Sequence, residues 1–429
     1  MIAKNLSAII PDMPALDELI DSFDSARKEA LTQLFQRYHF TESQKLEIAK
    51  SEADLRQWKE KPFVSIADYN AIDSRKDGRK GDAFISSLRA YMQTLRSKET
   101  DYSDFTPQVH PRPKNRIISI EKDIVLGRCP CPVDGEKTRC CKLVTMDPVE
   151  QCAFSCSYCS VQAFYSEKEI HTISNLKEKL LNLSIPDNVW HIGTGQASDS
   201  LLLGDDFGTL SALSAFAEAH PEIIIELKSK SSRDVFDRKY PKNIVFTWSL
   251  NAPTIANKEE HLTASIDKRL SDAAKARDNG NLVGFHIHPM VYFKGWNEEY
   301  PELVRKIESM FSPDDVMMIG IGTLIFTKSV LRKLRENGEE SKVLEMELTP
   351  AAGKFSYPLA IREKMFSTLV NAFSPDFRDN VFIYLCMEDP SLWLPVLGRE
   401  YKCDKDFEDD MKKHYFEKIA RHQVCSDSL

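Results

Sequence analysis

No stretch of the 429-residue chain is apolar for long enough to span a membrane. The opening "MIAKNLSAIIPDMPALDELIDSF" turns acidic without the uninterrupted apolar segment of a secretory signal. A cytoplasmic protein with no membrane partner is therefore expected. Excess positive charge is also missing: 57 Lys and Arg stand against 65 Asp and Glu, a formal net charge of -8. That balance excludes a globally basic nucleic-acid binder while leaving room for a local basic groove. Internal repeats and low-complexity tracts are absent, and 42% hydrophobic with 28% charged residues is the composition of a folded protein. At this length one large domain with smaller attached parts is expected.

What the chain does have is clustered cysteine. Seven of its ten cysteines fall between Cys129 and Cys159, and in a reducing compartment such thiols are metal ligands or reactive groups rather than disulfides. The stretch "CAFSCSYC" holds Cys152, Cys156 and Cys159 with gaps of three and two residues. A closed tetrahedral zinc site or an electron-carrying cubane takes four protein ligands. Three leave one coordination position open. Zinc with a fourth ligand from elsewhere is the competing reading. A second group in "RCPCPVDGEKTRCC" adds Cys129, Cys131, Cys140 and Cys141, four thiols in two pairs, suited to structural zinc or an auxiliary iron–sulfur cluster.

The rest of the pattern supplies a scaffold. Apolar positions at helical spacing (Leu16, Leu19, Ile20, Phe23, Leu31, Leu34, Phe35, Tyr38) and a helix-start signal at Thr41 or Ser43 predict a helical N-terminal region. With the basic, proline-broken linker "HPRPKNRI" this part covers 1–115. From residue 141 six apolar runs of strand length follow: "KLVTMDP", "NVWHIGTG", "EIIIELKSKS", "NIVFTWSLN", "LVGFHIHPMVYF" and "VMMIGIGTLIF". Helical stretches such as "DFGTLSALSAFAEAH" lie between several of them, which implies parallel strands with crossovers. The expected fold is α/β: a partial (β/α)6 barrel over 116–327 with the cysteine-rich insertion 129–141. A C-terminal extension over 328–429, with a strand "VFIYLCM" and a helical tail, completes the chain. In such barrels chemistry gathers at the C-terminal ends of the strands, which puts "CAFSCSYC" at the catalytic mouth, on the loop after the first strand.

Other strand ends carry polar candidates. The glycines of "GTGQ" let backbone approach a ligand. On the third strand period-two alternation puts Glu226, Lys228 and Lys230 on one face, and an inward lysine needs an anionic partner. Ser249 and Asn251 share a face of the next strand. His286 and His288 share one on the fifth, as substrate contacts or proton shuttles, and the same alternation carried on reaches Tyr292. Asp199, Asp205 and Arg233 have no assigned role.

The CxxxCxxC spacing resembles the radical S-adenosylmethionine (SAM) superfamily. The resemblance implies a [4Fe–4S] cluster on Cys152, Cys156 and Cys159 whose fourth iron chelates SAM, reductive cleavage to a 5′-deoxyadenosyl radical, and a flavodoxin- or ferredoxin-type electron donor. On the same footing Gly193, Thr194, Gly195 and Gln196 resemble the motif that holds the SAM amino group, Lys230 is a candidate for the SAM carboxylate, and Ser249 and Asn251 for its ribose or methionyl end. Together "CSYCSVQAFY", "ELKSKS", "WSLN", "GFHIHPMVYFKGW" and the later "IYLCMED" resemble the spore photoproduct lyase family over residues 129 to about 400. Members of that family act on a thymine–thymine lesion in DNA and return a hydrogen atom from a cysteine. In this chain Gln196 stands at the place aligned with that donor, and Ser160 replaces the tyrosine expected after the third cluster cysteine. Tyr158, Tyr292 and Cys386 remain as candidate relay or donor groups. A nucleic-acid lesion or nucleotide is the implied substrate; a peptide or small molecule is the alternative. In a different class stands a metal-stabilised binding protein that never cleaves SAM.

Overall fold

The computed structural model describes residues 16–76, 78–108, 116–129, 137–161 and 169–426. The chain divides into two compact units: Met1–His110 with Tyr292–Lys294 and Phe326–Thr349, and the remainder.

The first unit is helical. Its helices include Leu16–Asp21, Ser25–Arg37, Glu42–Gln57 and Lys80–Arg96. Thr41 caps the third of these in a reciprocal box with Gln44, satisfying two of the amide donors that a helix start leaves open. Leu31, Leu34, Ile48, Leu55, Trp58 and Phe84 form its apolar core.

The second unit is built on an eight-stranded sheet. Its strands are β1 (Leu126–Arg128), β2 (Val144–Met146), β3 (His191–Thr194), β4 (Ile224–Ser229), β5 (Ile244–Ser249), β6 (Val283–Met290), β7 (Val316–Thr323) and β8 (Phe382–Leu385). They lie side by side in chain order, β1 pairing antiparallel with β2 and the described ladders beyond it running parallel. All six predicted runs are strands β2 to β7 of this sheet, and "VFIYLCM" from the C-terminal stretch adds β8 as a seventh parallel member. The sheet curls into a half-barrel. Every residue of β5 and β7 is buried, as expected for parallel strands covered on both faces. Thr209–Ala219 connects β3 to β4, Ile266–Asp278 lies between β5 and β6, and Trp296–Met310 lies between β6 and β7. Among the described residues no helix is long and apolar enough to cross a membrane.

Inside the curl, small residues make room for large ones. In register across the strands stand Ser249, His286, Gly320 and Tyr384. A Cβ on Gly320 would come within 2.8 Å of the Tyr384 hydroxyl and 3.0 Å of His286 Nδ1. A methyl there would therefore displace the Tyr384 ring and press on His286.

Candidate active site

The three cysteines of the 152–159 stretch lie on the loop that follows β2 and the short strand Val149–Glu150. Gln151 turns the chain into this loop at φ 68°, a left-handed conformation that costs a non-glycine residue free energy. Cys156 then pairs with Glu260 in a two-residue antiparallel ladder, Ser155–Cys156 against Glu260–His261, and the Ser157 amide donates to the Glu259 carbonyl at 2.8 Å. Cys152 and Cys156 are buried, Cys159 is partly exposed, and none of the three is in a disulfide. The Phe154 amide donates to the Cys152 sulfur at 3.4 Å. Burial pushes the Cys152 thiol well above its ordinary pKa. Burial likewise drives Cys156 up to about 12, with Lys230 pulling the other way.

Below the loop lies a charged network that gave no local sequence signal. The Glu260 carboxylate is fully buried and sits 2.8 Å from Lys230 Nζ and 2.7 Å from Arg269 Nη2. The Tyr158 hydroxyl donates to it and accepts from Lys230 Nζ at 2.6 Å. Burial opposes the charge on Glu260, but Lys230 and Arg269 hold its carboxyl far below the usual range. Arg269 also donates to the Ser249 carbonyl at 2.8 Å. The anionic partner that an inward Lys230 requires is thus supplied by the protein itself.

The "GTGQ" turn at the end of β3 is laced to the same loop. Asp147, directly after β2, accepts from the amides of Gln196 at 2.8 Å and Ala197 at 3.0 Å, and the Gln151 amide donates to the Ala197 carbonyl at 3.2 Å. Gly195 sits at φ 74°, where a Cβ would lie 2.6 Å from the Lys228 carbonyl oxygen. Only glycine fits that approach. Lys228 Nζ donates to Gln196 Oε1 at 2.7 Å, so the side chain at the aligned donor position is engaged by a lysine. Thr194 turns its hydroxyl to Ser200 at 2.6 Å and to the Glu226 carbonyl at 3.1 Å. Asp199 accepts from Ser229 Oγ at 2.9 Å and from the Lys230 amide at 2.5 Å, fixing the start of the loop after β4.

Deeper in the half-barrel Glu226 bridges two histidines, with His286 Nε2 at 2.6 Å and His191 Nε2 at 3.1 Å, and accepts from Thr247 Oγ1 at 2.9 Å. Burial opposes ionisation there, yet the two imidazoles hold the carboxyl well below its usual range. His288 packs over Gly322, whose Cβ would lie 3.0 Å from its ring. Burial, together with His286, Lys228, Lys230 and Lys354, lowers its pKa to about 3. The mouth of the half-barrel is therefore rich in cationic nitrogen.

Two expectations need correction. Asn251 is fully buried and its amide is occupied: Nδ2 donates to the Pro289 carbonyl at 3.0 Å, and Oδ1 accepts from the Ala252 amide at 2.9 Å and the Tyr300 hydroxyl at 2.8 Å. It braces β5 against β6 rather than facing a ligand, while Ser249 stays in register beside His286. Tyr292 does not continue the alternation of the histidines, because the pairing of β6 with β7 shifts register between Ile287 and Met290 and β6 then ends. It falls in the stretch Tyr292–Lys294 of the helical unit. Cys386, the candidate donor thiol, directly follows β8 and has Cys129 and Cys140 as electrostatic neighbours. Cys131 lies outside the described residues.

The donor set of the 152–159 loop fits a thiolate-ligated cluster. Among the described residues no three Cys, His, Asp or Glu side chains converge as they would around a single ion. A cubane does not ask for that, since each thiolate binds a different iron.

Residues 149–357 match the family model "Spore photoproduct lyase". A stretch of 112 residues is 30% identical to spore photoproduct lyase of Bacillus subtilis, and one of 87 residues is 29% identical to that of Clostridium acetobutylicum. These stretches span 25% and 20% of this chain but only 32% and 26% of the two relatives. Among solved structures, a cysteine-to-serine variant of spore photoproduct lyase superposes with a TM-score of 0.53 at 17% identity, over 65% of this chain and 88% of that one. A variant with bound AdoMet and dinucleoside spore photoproduct gives 0.53 at 18% identity, over 70% and 94%. Residues 149–357 of this chain are thus similar in sequence to spore photoproduct lyases, and its half-barrel has the fold of the solved ones, while the chain spans about a third or less of the length of the curated relatives it matches.

Proposed function

We propose that the chain is a radical SAM enzyme acting, in the cytoplasm, on a nucleic-acid lesion or nucleotide. The observation that carries the reading is the lacing of two loops at the mouth of the half-barrel: the three-cysteine loop and the "GTGQ" turn are tied together through Gln151 and Asp147. Cys152, Cys156 and Cys159 would hold a [4Fe–4S] cluster, and the backbone of Gly193 to Gln196 would line the SAM amino group. When bound, the pair supplies a carbon radical by one-electron cleavage of a sulfonium, the electron coming from a flavodoxin- or ferredoxin-type protein.

The chain's own residues then do the positioning. Glu260 fixes Tyr158 and Lys230 beside the cysteine loop, so that Lys230 presents a partly neutralised ammonium to an incoming carboxylate. Arg269 holds the Ser249 carbonyl, and Glu226 holds the His286 ring at the interior wall. The cationic mouth formed by Lys228, Lys230 and Lys354 suits a phosphate-bearing substrate. A solved relative with a bound dinucleoside lesion makes a nucleotide the favoured class over a peptide. Because Gln196 stands at the aligned donor position, the hydrogen atom that completes the product would have to come from another group.

Anaerobic reconstitution with iron and sulfide, followed by dithionite and SAM, tests this. Wild-type protein should form 5′-deoxyadenosine and the Cys156→Ala variant none. No 5′-deoxyadenosine from cluster-loaded wild type would move the chain to the class of metal-stabilised binding proteins.

A further inference from the structure

A second group of thiols gathers where the two edges of the sheet meet. Cys129 directly follows β1, its amide donating to the Leu143 carbonyl at 3.0 Å. Cys140 and Cys141 lie in the segment leading into β2, and Cys386 directly follows β8, its amide donating to the Ile321 carbonyl at 2.7 Å. β1 and β8 stand at opposite ends of the strand order, yet the curl brings these ends together. The Arg139 amide donates to the Glu388 carbonyl at 3.1 Å, and the Arg139 guanidinium donates to the carbonyls of Tyr401 at 2.9 Å and Lys402 at 2.7 Å. The Cys140 amide donates to the Asp404 carboxylate at 3.2 Å. In this setting the Lys142 amide donates to the Cys140 sulfur at 3.4 Å, and the adjacent Cys140 and Cys141 thiols shift each other's pKa, Cys140 downward and Cys141 upward. The electrostatic neighbours of Cys141 are Cys140, Cys386 and Cys129, and none of the four is in a disulfide.

We propose that Cys386 joins Cys129, Cys140 and Cys141 in holding a second, thiolate-ligated iron–sulfur cluster at the closing edge of the half-barrel. The fold delivers to this group a thiol that follows a strand some 250 residues further along the chain. A single zinc ion needs its sulfurs drawn to one point at about 2.3 Å. Among the described residues no three such side chains converge around a single ion. An all-sulfur donor set of this kind suits a cluster whose irons each take one thiolate. Arg139 and Asp404 act as the clamp that keeps the segment before β2 against the end of β8.

The test begins from the Cys152→Ala/Cys156→Ala/Cys159→Ala triple variant, which removes the first cluster site. Reconstituted anaerobically, it should retain about four irons and as much sulfide per chain, with a reducible cluster signal by electron paramagnetic resonance. Adding Cys386→Ser should remove at least three-quarters of that iron. Circular dichroism and gel filtration check the fold, and Cys129→Ser in the same background reads the same site if Cys386→Ser does not fold. A triple variant that binds no iron, one that binds zinc alone, or one whose iron survives Cys386→Ser overturns the proposal. Retained iron in the triple variant alongside a wild type that makes no 5′-deoxyadenosine would uphold the second site while removing the SAM reading.

Discussion

Replacing Glu260 by Gln isolates the charge on which the cysteine loop rests. The carboxylate has 0% side-chain exposure and faces two cations, Lys230 at 2.8 Å and Arg269 at 2.7 Å. Gln keeps the shape and one acceptor oxygen but leaves both cations opposite a neutral amide. Severing one partner of a buried pair costs about 3–5 kcal/mol, chiefly as the penalty of the charge left behind. Lys230 retains 15% exposure and can turn toward water, whereas Arg269 at 0% cannot, so the loss should fall near the lower bound, about 3 kcal/mol. Urea unfolding followed by tryptophan fluorescence measures it, since Trp190, Trp248, Trp296 and Trp393 lie in the barrel unit and only Trp58 in the helical one. The Glu260→Gln/Arg269→Met double variant removes the stranded cation as well and should recover at least about 1 kcal/mol. A single variant within about 1 kcal/mol of wild type, or a double variant no more stable than the single, would refute the account.

Gly195→Ala puts a methyl 2.6 Å from a backbone oxygen at a positive φ; a cost of about 1–3 kcal/mol and at least a tenfold weaker SAM affinity by equilibrium dialysis are expected, and unchanged values of both would show that the turn has slack. His288 carries a pH signature. Its folded pKa, about 3, lies below the unfolded value of about 6.5, so the unfolded chain takes up the proton first. Stability is then lost as pH falls below about 6.5, by up to about 1.4 kcal/mol per unit. His288→Asn should flatten that slope between about pH 6 and pH 4, and parallel stability curves for the two proteins would contradict the assignment.

Much of this site was legible because its signals are local. The cysteine triad is read from spacing, the strands from β-branched and apolar runs, and Gly195 from the need for close backbone approach. What escaped depends on distance along the chain. Glu260 sits in an acidic, helix-flanking stretch that reads as solvated surface, and its partners Tyr158 and Lys230 are 102 and 30 residues away in sequence. Arg269 looks like one more charge on an amphipathic helix until the fold turns it inward. Asp147 was findable, as an acid placed directly after a strand and before a proline at the mouth. Tyr292 failed for the opposite reason, since period-two alternation was extended past an irregularity that periodicity does not reveal. The Cys386 grouping required the sheet to curl, and no pattern within one strand encodes that.

The helical unit is assembled from three separate visits of the chain, residues 1–110, 292–294 and 326–349. Its later visits are stitched to the first: Ser341 and Leu334 bond to Gln57, Arg335 pairs with Asp54, and Lys342 with Glu60. A truncation that starts at residue 111 would therefore not deliver a clean barrel fragment. It would strand Leu331, Leu334, Val343 and Leu344, all buried in the intact chain, as greasy loops hanging from the barrel's connections. The helical unit is made of stretches interleaved with those of the barrel unit along the chain, and dissection by simple trimming is foreclosed.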